Sequence, residues 1–230
     1  MDRNSGFTAG ERENIYRFLA ALCLAPPSDA LISMIMKGSI LSAISDEASY
    51  MSLFLEEARE ISNLKEELEA EHTAIFTLPS GAIPHESVYV DQEKKLGGKV
   101  TISVANFYER AGADIVDESI AVPDHLGMEF EFMGFLCGIE KELRESNDRN
   151  ALDKCIELQK AFLDEHLLKW AGSCCEKIMD TAQYGFYKAI ALFAIGFMRG
   201  EEEHVAELRA ELNETEKGMG DWDDETVQAL

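Results

Sequence analysis

The sequence predicts an all-α chain, a single helical domain of about nine to eleven helices with a long loop after the fourth, and three observations carry that prediction. Apolar residues recur at helical spacing through most of the 230 residues. No segment has the sustained alternation and hairpin turns of paired strands. Helix-start signals, a capping residue with Glu three positions on, recur ahead of the apolar stretches. With 46% hydrophobic residues, the chain can build a substantial core.

The elements follow in order. Thr8 and Glu11 form a capping-box pattern ahead of Ile15, Phe18, Leu19 and Leu22. Pro26 and Pro27 stop that helix. Ser28 caps a short helix through Leu31, Ile32 and Ile35, closed by Lys37 and Gly38. Ser45, Asp46 and Glu47 open a long region with Tyr50, Met51, Phe54, Leu55, Ala58, Ile61, Leu64 and Leu68 in helical register. A second capping-box pattern, Asn63 with Glu66, splits it near Ser62. The second half ends at Ile75 and Phe76.

From Thr77 to Gly98 the signals change. Pro79, Gly81, Pro84, Gly97 and Gly98 forbid a continuous helix. A connection this long in a compact domain is either functional or held against the body. Val100 to Arg110 reads as a helix; its β-branched residues also suit a strand, but no partner strand is evident. Gly112 stands where a C′ glycine belongs. Pro123 and Asp124 mark the next helix start, running to about Glu145. Its stripe of Leu126, Phe130, Met133, Leu136, Cys137 and Leu143, widened by Phe132 and Phe135, makes it central and buried. Helical blocks follow at Ala151 to Leu168, Ala171 to Gln183 and Tyr184 to Arg199, then an amphipathic piece from Glu201 to about Asn213. The helical domain is expected over 1–217, with 218–230 a poorly ordered acidic tail.

The formal net charge is −23, with 44 acidic residues against 21 basic, and the pI is about 4.5. Nucleic acid would need clustered Lys and Arg, and no cluster stands out. An acidic surface suits a basic partner such as an Arg-bearing peptide; solubility alone explains it equally well. The N-terminus has no basic segment followed by an apolar run, and no apolar stretch reaches membrane-spanning length. The expectation is a cytoplasmic protein without stable membrane insertion. Cys23, Cys137, Cys155, Cys174 and Cys175 form no even framework and read as reduced thiols.

Catalytic signatures are sparse. There is no phosphate-binding loop, dinucleotide fingerprint or nucleophile elbow. Two Glu-x-x-His spacings, Glu69 with His72 and Glu201 with His204, make a di-metal carboxylate enzyme the alternative reading. Glu201 to Glu203 lie in an acidic run that usually marks a solvated face, so neither a metal nor a cofactor is expected. Asp124 and His125 at a loop-to-helix junction have two readings. They can cap the helix start, or they can offer acceptors to a guanidinium or to peptide amides.

Several landmarks stand in one order: Ile75-Phe76 before a Pro-bearing loop; Pro84-His85-Glu86-Ser87-Val88-Tyr89; Phe107-Tyr108 with Gly112; Pro123-Asp124-His125-Leu126 before Glu129 to Met133; Phe162, His166, Leu167 and Trp170; and Phe186-Tyr187. That order resembles the TorD/DmsD/NarJ-like redox-enzyme maturation chaperones, molybdoenzyme-specific chaperones, over roughly Glu11 to Glu207. The resemblance implies an all-helical, non-enzymatic chaperone. Its partner would be the precursor of a molybdoenzyme catalytic subunit, held by its twin-arginine signal peptide or as the apo form until the cofactor is loaded. It also implies a monomer or a domain-swapped homodimer. Many relatives carry an acidic residue just before Pro-Asp-His where this chain has Ala121 and Val122, and His72 replaces a common aromatic.

The expected peptide groove lies between the 76–89 loop and Pro123-Asp124-His125. Ile75, Phe76, Val88, Tyr89, Phe107 and Tyr108 would take apolar side chains. Asp124 and Glu86 would meet the arginines, with His125 fixing orientation and Ser87 and His72 alongside. Core packing accounts for Phe76 and Tyr89, and loop capping for Glu86, about as well. On this reading, replacing Asp124 and His125 weakens peptide binding with little loss of folding. His166 and Trp170 read as structural ties between the late helices.

Overall fold

The computed structural model describes residues 7–37, 48–91, 96–113 and 122–227. Its helices are α1 (Ala9–Leu24), α2 (Asp29–Met36), α3 (Ala48–Glu60), α4 (Leu64–Phe76), α5 (Glu86–Val90), α6 (Lys99–Arg110), α7 (Leu126–Ser146), α8 (Arg149–Phe162), α9 (Leu168–Thr181) and α10 (Gly185–Val227). Among the described residues the only strand-like feature is an isolated antiparallel bridge between His85 and His125. The class is all-α, as the periodicity predicts, with a long connection after α4.

Local signals are realised where a side chain has a free backbone group to meet. The Thr8 hydroxyl accepts the Glu11 N–H, and the Glu11 carboxylate accepts the Thr8 N–H at 2.8 Å. Ser28 caps α2 through Leu31 N–H. Gly112 takes φ +67° beyond α6, and Ala113 N–H returns to Tyr108 C=O, closing a Schellman turn. The Asn63 box does not form: its amide donates to Glu66 at 3.1 Å, and α4 starts without a side-chain cap. Ser45 to Glu47, the expected start of α3, lie outside the described residues, as do Gly38 and Ala121.

α1 and α7 pack side by side through the centre. Gly127 makes the approach possible, since a Cβ there would stand 2.6 Å from Leu24 Cγ. The core gathers Tyr16, Phe54, Phe130, Phe162, Trp170, Phe186 and Tyr187, all buried. Burial of such rings supplies most of the stabilisation, roughly 1.5–3 kcal/mol for each large apolar side chain.

Three boundaries differ from the sequence reading. α8 and α9 are one rod with a π-helical turn at Leu163–Leu167, not two helices broken near Trp170. α10 continues through Gly200, because Phe197, Met198, Glu201 and Val205 stay on the buried face and give the chain no reason to stop. Its backbone passes Asn213 as helix to Val227, and residues 228–230 lie outside the description. α7 begins at Leu126, not Asp124, with His125 as its N-cap: the Gly127 N–H donates to His125 Nδ1 at 3.0 Å.

Candidate functional site

The connection after α4 begins with a close turn. Ala82 N–H donates to Ile75 C=O at 2.7 Å, and a Cβ on Gly81 would lie 2.2 Å from that same oxygen. Only glycine fits there. Ile83 follows at φ +47°, a left-handed conformation rare for a β-branched residue. The chain then meets the start of α7 edge to edge. Leu126 N–H donates to Pro84 C=O at 2.9 Å, and Glu86 N–H to Asp124 C=O at 2.8 Å.

Side chains lock this contact. Asp124 is fully buried, and its Oδ2 accepts the Ser87 N–H at 3.0 Å, so it caps α5 and not α7. Burial pushes its carboxyl up, but His85, whose Nδ1 stands 3.6 Å away, and Ser87 outweigh it and hold the carboxyl at about 2. Burial, and then His85, pushes the His125 imidazole down to about 3, so it stays neutral and caps α7. The His85 and His125 rings meet edge to face at 5.0 Å. Glu86 Oε2 stands 2.8 Å from His166 Nδ1, and His166 Nε2 3.3 Å from Ser103 Oγ. Tyr108 donates its hydroxyl to Pro123 C=O at 2.8 Å. Trp170 Nε1–H donates to Glu129 at 3.1 Å, Tyr89 lies against the Trp170 ring, and the Tyr89 hydroxyl bonds to Ala82 C=O.

The sequence-predicted residues are therefore brought together, but as the seam that closes the loop onto the body. Among the described residues no open groove runs between the loop and Pro123-Asp124-His125: a bridge between His85 and His125 with two backbone hydrogen bonds pairs the segments there, and Asp124 and Glu86 are buried behind it. Asp124, Glu86 and Ser87 are buried, as are Ile75, Phe107 and Tyr108. His72 is buried against Phe76 and Tyr187, at 4.7 and 6.2 Å between ring centres. Pro123 and His125 are half-buried. His166 and Trp170 are structural ties, as expected, but they tie α9 and its π turn to α5 and α7.

Val88 and Tyr89 also face outward, onto a cleft of about 430 Å³ between the loop and α9. Gly81, Ala82, Ile83, Val88 and Tyr89 form its apolar wall. Ser173, Glu176, Lys177 and Asp180, all exposed on α9, form the other. Glu176 and Asp180 are one turn apart, so both carboxylates lie on one face of the helix. Sequence reading missed this wall, because nothing in α9 marks which helix lies opposite it.

It also missed a buried ion-pair node. Arg12, fully buried, donates Nε–H to Glu201 at 2.8 Å, one terminal N–H to Glu140 at 2.7 Å and the other to Gln159 at 2.7 Å. Glu201 is thus not on a solvated face, and the two Glu-x-x-His pairs do not converge. Among the described residues no three His, Cys, Asp or Glu side chains are grouped to hold a metal ion. The node was legible in part: Arg12 falls on the Ala9, Tyr16, Leu19 stripe, and Glu140 falls on the α7 stripe.

Among the described residues this cleft sets an apolar wall against one that carries Glu176 and Asp180 beside Lys177. The family model described as nitrate reductase delta subunit matches residues 42–176, and the chain belongs to that family. It is similar to proteins named chaperone protein TorD. The one from Vibrio vulnificus (strain YJ016) is 26% identical over 141 residues, 60% of this chain and 64% of that protein. The one from Vibrio cholerae serotype O1 (strain ATCC 39541 / Classical Ogawa 395 / O395) is 24% identical over 213 residues, 86% of this chain and 93% of that protein. A solved structure of a redox enzyme maturation protein from Archaeoglobus fulgidus superposes with a TM-score of 0.47 at 17% identity, covering 84% of this chain and 99% of that one.

Proposed function

We propose that this protein is a maturation chaperone for a molybdopterin oxidoreductase subunit, and that it works by binding and not by catalysis. It holds the apo subunit or its N-terminal twin-arginine-like signal peptide in the cytoplasm while the cofactor is inserted, before export. The family and the chaperones to which the chain is similar support this reading. Among the described residues no single helix is long and apolar enough to cross a membrane. A monomer and a domain-swapped homodimer both suit the role.

The observation that carries the reading to a site is the cleft between residues 81–89 and α9. An extended peptide with arginines beside an apolar run needs an apolar wall and carboxylates at short range, and this cleft has both. Ile83, Val88 and Tyr89 take the apolar side chains; Glu176 and Asp180 take the guanidinium groups. The seam behind the loop fixes the apolar wall, so Asp124 and His125 act by positioning Val88 and Tyr89.

Calorimetric titration with a twin-arginine signal peptide tests this. Replacing Glu176 and Asp180 together with Lys should weaken binding about tenfold or more while the helical circular dichroism is unchanged, because both side chains are exposed. Exchanging the two peptide arginines for Gln should weaken binding to the wild type similarly. Undiminished affinity in the Lys variant would rule out this cleft.

A further inference from the structure

Behind α5 three carboxyls meet in the interior: Glu86, Asp124 and Glu129. Two are compensated. Asp124 has the Ser87 amide and faces His85; Glu86 has His166. Glu129 is different. It is fully buried and one oxygen accepts the Trp170 N–H; the other, Oε1, has no hydrogen-bond partner, and where Asp124 Oδ1, likewise unpartnered, faces His85, Glu129 faces Glu86 and Asp124. The groups facing it are Glu86 from α5, Asp124 from the start of α7, Tyr108 from α6, and Trp170 and Cys174 from α9, with His166 beside Glu86 and His85 beside Asp124. A third negative charge there would face two carboxylates in a medium that screens poorly.

We propose that Glu129 operates a proton-controlled latch: as the neutral acid it lets the Pro84–Val90 segment seat on α7 and α9, and as the carboxylate it drives that segment off. Burial first, and then the Glu86 carboxylate, holds the Glu129 carboxyl well above the ordinary range, in keeping with the neutral, seated form. The neutral acid also turns an acceptor into a donor that Glu86 can use. Losing the proton reverses both effects at once, and α5 is the element that can give. It is five residues long, and it is held by Asp124, His166 and the Tyr89–Trp170 contact, all next to Glu129. Because Val88 and Tyr89 ride on α5, the latch would dismantle the apolar wall of the cleft. The latch is a property of the protein alone and does not depend on the chaperone reading.

The test uses the full chain without any peptide. Trp170 emission is followed with Trp222→Phe in the background, together with amide exchange of residues 86–90 corrected for intrinsic rates. Both are read from about pH 5 to about pH 9, the span over which buried glutamates ionise. The expected result is a red shift of Trp170 and an approximately tenfold or greater loss of protection at 86–90 as pH rises, with α1 and α7 amides unchanged. Glu129→Gln should stay seated across the range. Glu86→Gln, which removes the nearest negative charge, should move the midpoint down by about one pH unit or more, and this arm decides the matter if Glu129→Gln does not fold. Flat wild-type signals, a Glu129→Gln variant that titrates like wild type, or an unmoved midpoint in Glu86→Gln would each overturn the latch and leave the peptide titrations unaffected.

Discussion

Replacing Asp124 with Asn isolates the seam between the loop and α7. Asp124 has no exposed surface, and its Oδ2 accepts the Ser87 N–H at 3.0 Å while His85 stands 3.6 Å away. Asn keeps the shape but loses the charge, and its NH2 group is placed in a site built for an acceptor. The fall of the Asp124 carboxyl from 3.8 to about 2 in the folded protein corresponds to about 2 kcal/mol. A buried hydrogen bond to a charged acceptor gives the same size, about 1.5–3 kcal/mol. The expected loss for Asp124→Asn is therefore about 2 kcal/mol near pH 7, or a Tm lower by roughly 6 °C. The sign with pH follows from the depressed value. The Asp124 contribution is fully present above 3.8 and disappears as pH falls through about 2, so the gap between wild type and variant should close in acid. His125 titrates separately. Its folded value is about 3 against an ordinary 6.5, so both proteins should also lose stability as pH falls through that interval. Urea unfolding followed by circular dichroism at several pH values measures both effects. Equal stability at neutral pH, or a gap that persists unchanged in acid, would refute the assignment. A loss of that size would also count against the sequence expectation that Asp124 and His125 can be replaced with little loss of folding.

Two further substitutions probe the frame around the site. Arg12→Met leaves Glu140 and Glu201 buried without their shared cation, and should cost about 3–5 kcal/mol in urea unfolding, with part recovered by adding Glu201→Met; a loss near zero would mean the node carries no net pairing. Gly81→Ala drives a methyl group to 2.2 Å from Ile75 O, so the loop backbone must shift at a cost of about 1–3 kcal/mol, seen as a lower Tm and faster amide exchange across 82–90.

The helix periodicities were legible because they are local. A capping side chain meets a backbone amide three residues away, as Thr8 meets Glu11 N–H, and an apolar stripe such as Leu126, Phe130 and Met133 repeats within a few turns. Pro and Gly between Thr77 and Gly98 likewise announce an irregular connection. Where the local pattern was ambiguous, the fold decided. Asn63 could cap α4 but spends its amide on Glu66, and Pro123-Asp124 could open α7 but yield that place to His125.

By itself, then, the sequence determined an all-helical chain, a long non-helical connection after the fourth helix and an acidic composition, and its family resemblance grouped Glu86, Ser87, Tyr89, Asp124 and His125 as one set. Tertiary structure alone decided what that set does. Whether a carboxylate faces solvent or an amide 37 residues away depends on which segments pair, as Ser87 pairs with Asp124. The same holds for Arg12, whose partners lie 128 and 189 residues distant. Helical spacing fixes the face on which a side chain lies. Only packing, the joint burial of many such faces, fixes what lies opposite, and it put an accessible cleft between the loop and α9 while burying Asp124 and Glu86 in the interior.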